Sequence, residues 1–317
     1  MFLPAWAVDG TTVPAAMARH ETYRSAGGRG GITRATDLEV TELDTPGDAV
    51  RIMPGAATLL NSYPGGEGQA YGVTNNAAVE LPVPATGSGG GATRYVIVRV
   101  DDPEFGGQEP AVPPYPTLVS SVDSLNFPHE VLARIDQPAS TATITKEMIV
   151  DQRRLNNPRT WYDQRAYSLV TGDGEQLNGT GSDGEWYPNA AAQDVYIPEW
   201  ATSVSIIAIW ASVVYREGNT YGRFWLEFGP YESTHNRKYA TQRQSFDADS
   251  GRNNVRTNWH LADTRAVASD IRGTTQKFVP KGTIHGGTGK SRPYMDAVSN
   301  FSMQLYFREL PASEYEP

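Results

Sequence analysis

Two copies of one triplet, Asp173-Gly174-Glu175 and Asp183-Gly184-Glu185, bring the most chemistry per residue to this sequence. A pair of carboxylates can serve as acid and base, or acid and nucleophile, at a glycosidic bond when the fold holds them at a working separation. Spacing along the chain does not set that separation. Asp-Gly is also a turn signal between strands, and the turn is the primary reading of both copies.

Other patterns stop short of a complete motif. Gly286-Gly287-Thr288-Gly289-Lys290-Ser291 ends like a phosphate-binding P-loop. Ile284 stands where the motif needs its first Gly, and Arg292-Pro293 follows where a helix should open. Asp247, Asp249 and Gly251 resemble the start of a calcium loop. Arg252 holds the position of its turn Gly, and Asn258 that of its terminal Glu. His20, His129, His235, His260 and His285 are too scattered for a paired zinc site. There is no Cys, which excludes a thiolate nucleophile or metal site and a disulfide scaffold. The expectation is a protein that is not an enzyme, with no cofactor and no metal.

Aromatic side chains offer a different chemistry. Between Tyr221 and Phe228, Phe224, Leu226 and Phe228 alternate with Arg223, Trp225 and Glu227, as on a strand with one buried face. If the first set faces the core, Trp225 and Tyr221 face outward. Asn300–Arg308 alternates in the same way and turns Tyr306 outward. Exposed rings at Tyr221, Trp225 and Tyr306 fit three roles: stacking on a sugar, forming a subunit interface, or lying under a covering segment.

The elements that must position these residues are strands. Gly and Pro together make 31 + 22 = 53 of 317 residues, an excess that favours short strands joined by many turns. A short helix is expected from Pro14 to about Arg24, capped by Thr12 and ended by the Gly27–Gly31 cluster. Strands follow around Leu38–Leu43, at Val50 and Ile52, and at Tyr95–Val100, the last apolar on both faces. Thr86–Thr93 and Pro103–Pro116 read as surface loops. Val204–Val214 reads as a buried strand. From Pro230 to Pro293 the pattern fades into polar sequence and suggests a long excursion.

Charge bounds the partners. The net charge of −9 argues against general nucleic-acid affinity. Residues 235–292 nevertheless carry eleven basic residues against four acidic ones: Arg237, Lys238, Arg243, Arg252, Arg256, Arg265, Arg272, Lys277, Lys281, Lys290 and Arg292. That set could attract a polyanion or fix loop carbonyls and neighbouring subunits. MFLPAWAVDG lacks the basic start of a signal peptide, and Val204–Tyr215 is too short to span a bilayer. No membrane partner is expected, and the protein is expected in a particle assembled in the cytoplasm or in the cytoplasm itself.

The first half resembles the N-terminal region of minor tail proteins, at the tail tip or baseplate, of long-tailed actinobacteriophages. The residues that carry the resemblance are Trp6, Val13–Tyr23, Gly27–Ile32 and Met53-Pro54-Gly55-Ala56-Ala57, then Arg94–Asp102, Leu132-Ala133-Arg134-Ile135, Asp151 and Arg153. Val96 stands where that family often has Asp. The resemblance implies a structural virion protein, located in the phage tail, with other tail proteins as partners. It also implies a closed homo-oligomer, a trimer being the expected form. Host cell-wall polysaccharide is a further expected partner. A particle-borne polysaccharide-degrading enzyme and a free carbohydrate-binding module are the competing readings.

The fold class expected is mainly β. Residues 1–157 form a β-rich mounting domain with one short helix, and residues 158–317 a jelly-roll-like antiparallel β-sandwich. Limited proteolysis is therefore expected to cut near Asn156–Tyr162 and release fragments of roughly half length. Gel electrophoresis with mass spectrometry of the products checks this, and an uncut junction counts against two domains.

Overall fold

A computed structural model describes residues 12–107, 113–123, 125–168, 174–250, 255–287 and 289–311. Trp6, Asp173, Gly251, Arg252 and Thr288, all invoked above, lie outside the described residues, as does the side chain of Lys290. The chain is mainly β and packs as two compact units, the first running to Pro158 and joined again by the chain from Leu310, the second spanning Arg159–Glu309.

The first unit contains helix α1 (Ala15–Ser25) and strands β1 (Gly31–Ile32), β2 (Val40–Glu42), β3 (Ala49–Ile52), β4 (Gly55–Leu60) and β5 (Ala70–Asn75). It continues with β6 (Val79–Pro82), β7 (Ala92–Arg99), β8 (Tyr115–Val119), β9 (His129–Gln137) and β10 (Ile149–Asp151). Three antiparallel sheets result, ordered β1-β4-β5, β2-β3-β6 and β10-β9-β7-β8. Their shared core includes Ile32, Val50, Leu59, Val96, Leu132 and Ile135. Pro14 occupies the N-cap position of α1 and no side chain caps the helix, so the expected Thr12 cap does not form. The helix is held by its side chains instead. Buried Arg19 donates to Gln69 (2.5 Å), Asp102 (3.1 Å) and Glu104 (2.5 Å), while the Tyr71 hydroxyl donates to the same Asp102 carboxylate at 2.8 Å.

The residues behind the family resemblance have structural work in this unit. Asp101 accepts from Arg99 and from the Tyr115 hydroxyl (2.8 Å). Arg153 chelates Asp151 and donates to the carbonyls of Asp37 (2.8 Å) and Ala35 (3.2 Å), tying the end of β10 to the turn before β2.

The second unit contains β11 (Thr160–Ser168), β12 (Glu175–Gln176), β13 (Glu185–Trp186), β14 (Gln193–Tyr196), β15 (Ser203–Tyr215) and β16 (Gly218–Tyr231). After these come β17 (Arg237–Ala240), β18 (Gln244–Ser250), β19 (Val255–Ala266), β20 (Thr275–Gly286), β21 (Tyr294–Met295) and β22 (Asn300–Arg308). One sheet is built on the order β11-β22-β15-β19, extended by β21 and β12. The other is built on β14-β20-β16-β18, with β13 and β17 pairing further along β20 and β16. If the eight principal strands are numbered in chain order, the sheets run 1-8-3-6 and 2-7-4-5. That is the connectivity of a jelly roll, two Greek keys folded face to face.

Both sheets contribute to a core dense in aromatic rings. Trp210 of β15 meets Phe224 of β16 edge-on at 5.1 Å and Phe301 of β22 at 4.9 Å, and Trp259 stacks between Phe224 (4.9 Å) and Phe246 (4.6 Å).

The expected excursion from Pro230 to Pro293 does not exist as such: β17, β18, β19 and β20 lie in it, and three of them are principal strands. Two features hid them. In β19 only Trp259 and Leu261 are buried apolar residues, among polar neighbours on a wet face. In β20 the buried run reads Phe278-Val279-Pro280-Lys281-Gly282-Thr283, which is too polar and too broken to look like a strand. Pro280 is tolerated because it falls between the residues that pair with β14 and those that pair with β13, where no ladder bond is required of its nitrogen.

One buried acid in the first unit generates a pH prediction. Glu130 of β9 sits close to Gly30, and burial raises its carboxyl from 4.5 to about 7 against the pull of Arg154. A folded-state pKa above the unfolded one favours folding while the group is protonated, and that advantage is lost as pH rises from about 4.5 through 7. Glu130→Gln is expected to stabilise the protein by roughly 1–3 kcal/mol at pH 8 and to change it little at pH 4. Urea denaturation at the two pH values is the measurement.

Candidate functional site

Beneath one region of the jelly roll lies a buried ammonium group. Lys281, on β20, is fully buried. Its Nζ donates to the His235 carbonyl (2.9 Å) and to Asn236 Oδ1 (2.7 Å), and it pairs with Glu227 Oε2 at 3.3 Å. An ammonium has three donors, and here each has an acceptor. Glu227, on neighbouring β16, is engaged through both oxygens: Oε1 accepts from Trp225 Nε1 (2.8 Å), and Oε2 also accepts from the Arg237 N–H (3.0 Å). Burial lowers the Lys281 pKa, while Glu227 opposes that shift. The pair thereby pins the turn between β16 and β17 onto the sheet.

Trp225 belongs to this buried assembly and is not an outward ring. Its exposure is 0%, against 52% for Tyr221 and 44% for Tyr306. The alternation along β16 is real, but the second face is covered as well. Arg243 lies over the Trp225 ring at 4.3 Å, Lys281 at 5.6 Å, and the backbone at Gly184 presses against the ring edge. Tyr221 and Tyr306 stand on different sheets, so the three residues expected to share a surface do not. Tyr221 lies near His285 (6.5 Å between rings), whereas Tyr306 packs against Tyr162 of edge strand β11 (4.6 Å). Trp161 beside it is also exposed.

The two Asp-Gly-Glu copies do converge. Glu175 begins β12, which pairs with β21 in one sheet, and Glu185 begins β13, which pairs with β20 in the other. Each glycine has a positive φ (60° at Gly174, 57° at Gly184), and each sits where a Cβ would collide. At Gly174 it would lie 2.2 Å from the Tyr294 hydroxyl, and at Gly184 it would lie 2.4 Å from the Gly282 carbonyl. Only glycine allows these approaches.

The two glutamates line a cleft of about 980 Å³ together with Trp186, Tyr167, Tyr231 and His235. Gln176, Asn178 and Asn189 add amides to its wall. Both Glu175 oxygens accept the Asn189 N–H (2.7 and 3.0 Å), and Glu185 Oε1 accepts the Asn178 N–H. Burial pushes the Glu175 carboxyl above the usual glutamate range, Asn189 pulls it back, and the Glu185 charge adds to the rise. The Tyr187 hydroxyl is wholly buried with no hydrogen-bond partner among the described residues. Burial chiefly, and then the Glu175 charge, raise its pKa well above the usual tyrosine value.

Sequence reasoning missed Trp186, Tyr231, Tyr167 and His235 as a group. The available signal was the repeat itself, since a second Asp-Gly-Glu copy followed directly by Trp marks a second rim.

The described basic side chains between 235 and 292 have partners within the chain. Lys238 pairs with Asp270 (2.6 Å), Lys277 with Asp194 (2.9 Å), Arg256 with Asp296 (2.5 Å) and Arg265 with Asp263 (2.9 Å). Arg237 covers the Tyr231 ring, Arg272 donates to the Val267 carbonyl and Arg292 to Asn178. Gly289–Ser291 forms a single 3-10 turn, not the start of a phosphate-binding helix. Among the described residues no group of three or more metal-ligating side chains occurs, and no helix is long and apolar enough to cross a membrane.

The fold and cleft define a class: a jelly-roll β-sandwich with an aromatic, carboxylate-lined cleft. No protein family matches the chain, and no curated protein does. Solved structures of infectious bursal disease virus align with it. The Gx strain is 13% identical over 89% of this chain and 79% of that chain, with a TM-score of 0.24. The Gt strain is 11% identical over 90% and 76%, at 0.21. The crystal structure of the VP2 subviral particle is 12% identical over 90% and 73%, also at 0.21. TM-scores this low carry no argument, and the jelly-roll assignment rests on the strand order of this chain.

Removing one partner of the buried pair strands the other charge. Lys281→Met is expected to cost roughly 3–5 kcal/mol, and the double variant Lys281→Met/Glu227→Gln to recover much of that loss. Denaturant midpoints of the two variants decide it. Equal losses in both would mean that the pair is not coupled.

Proposed function

We propose that this chain is a structural protein of a phage tail, mounted at the tip or baseplate by residues 1–157, with a jelly-roll unit that holds host surface polysaccharide in the Glu175–Glu185 cleft. One observation carries the ligand reading: aromatic faces, carboxylates and amides converge in a cleft of about 980 Å³. Rings that stack on the apolar face of a pyranose, beside acceptors and amides for its hydroxyls, are the composition a saccharide site needs. The particle reading rests on the resemblance of the first half, and the jelly roll is compatible with it, since capsid and lectin domains both use that fold.

Binding without turnover is favoured because both glutamates already accept backbone N–H groups that shape the cleft wall. Edge strand β11 supports self-association, with a trimer as the proposed form. It exposes Trp161 (51%) and Tyr162 (47%) beside an unpaired strand edge, a surface that subunits commonly cover.

Mass spectrometry of purified particles, with antibody labelling in the electron microscope, is expected to place the chain at the tail tip. Trp186→Ala is expected to weaken binding of purified host wall polysaccharide by about tenfold or more, in line with the loss of one stacked ring. New reducing ends that vanish in Glu175→Gln would instead establish the enzyme. Native mass measurement reads the oligomer, and Trp161→Glu is expected to shift it toward monomer.

A further inference from the structure

We infer that the cleft between Glu175 and Glu185 recognises a sugar bearing a free amino group; this rests on the reading of the cleft as a saccharide site. The argument begins with charge balance. Neither glutamate takes part in an ion pair among the described residues, although fifteen such pairs occur elsewhere. Among the described side chains the cations nearby are committed; the side chain of Lys290, next to the Gly289 whose carbonyl accepts from Gln176, lies outside the described residues. Lys281 has its three acceptors, Arg237 donates to the Gly229 carbonyl (3.1 Å) under the Tyr231 ring, and Arg292 donates to Asn178 (2.9 Å).

The carboxylates also keep acceptor capacity. A carboxylate has about four lone-pair sites, and no donor among the described residues reaches Glu185 Oε2. The rings supply the second half of the chemistry. Trp186, Tyr167 and Tyr231 line the same cleft, and an ammonium is stabilised both by carboxylates and by the negative face of an aromatic ring. The Tyr187 hydroxyl, on the residue after Trp186, is buried with no hydrogen-bond partner among the described residues and feels the charge of both carboxylates. A neutral sugar would leave the two like charges facing each other in a partly desolvated space. A phosphorylated or uronic sugar would add a third negative charge. A protonated amine relieves the repulsion and the desolvation together.

Isothermal titration calorimetry on the full chain, at a pH where the sugar amine is protonated, tests this with a glucosamine hexamer and an N-acetylglucosamine hexamer. The expected result is at least tenfold tighter binding of the glucosamine oligomer. Glu175→Gln and Glu185→Gln each abolish that preference, and both keep a carbonyl oxygen for the backbone N–H and so preserve the local fold. Trp186→Ala weakens both oligomers alike. Equal binding of the two hexamers overturns the amine inference and leaves the saccharide reading standing. A preference that survives in the double Gln variant overturns it too, because general attraction to a chain of charge −9 would explain it. If neither hexamer binds, the inference falls, and binding of the host wall polysaccharide decides separately whether the saccharide reading falls with it.

Discussion

A lysine ammonium taken wholly out of water is the constraint on which the second unit depends. Desolvating such a charge costs several kcal/mol, and the cost is met only if every donor finds an acceptor in good geometry. Lys281 meets that condition by gathering Glu227 from the adjacent strand and the His235 carbonyl and Asn236 side chain from the following turn. Glu227 in turn fixes Trp225 and the start of β17. Four parts of the chain are thereby bound to one point, and a turn that would otherwise be free becomes a rigid wall. Gly184 closes against the edge of the Trp225 ring, so the rim that carries Glu185 and Trp186 rests on the same assembly.

The cleft follows from the way a jelly roll is wound. Its two sheets are joined by segments that pass from one to the other, and β12 and β13 belong to one such segment, pairing with opposite sheets. Gly174-Glu175 and Gly184-Glu185 therefore line one cleft. Two carboxylates brought together in this way repel, and their mutual effect with burial is visible in the raised Glu175 carboxyl.

The first unit solves a different problem. Its sheets are short, and much of its order comes from side chains that bridge distant segments: Arg19 to Gln69, Asp102 and Glu104, and Arg153 to Asp151, Asp37 and Ala35. Pro-rich and Gly-rich connections are fixed by such bridges without the help of long ladders. Arg19, Asp102, Asp151 and Arg153, which carry part of the resemblance in the first half, take part in these bridges.

Period-two alternation at Tyr221–Phe228 and Asn300–Arg308, the apolar run at Val204–Val214, and the Gly and Pro excess were enough by themselves to determine a β-rich chain with an antiparallel sandwich in its second half. A strand with one wet face writes its own pattern, because each residue's side is set by the pleat alone. Three things were decided only by the tertiary structure. Trp225 is buried because β16 is covered on both faces, and alternation cannot report how many faces are covered. The strands between Pro230 and Pro293 were hidden because their burial is satisfied by Lys281, Thr283 and the rings of neighbouring strands, not by an apolar run of their own. Glu175 and Glu185 came to share a cleft only because their strands pair with different sheets. The physical reason is common to all three: a residue's local sequence fixes which way it points, whereas what it meets there is supplied by strands far away in the chain.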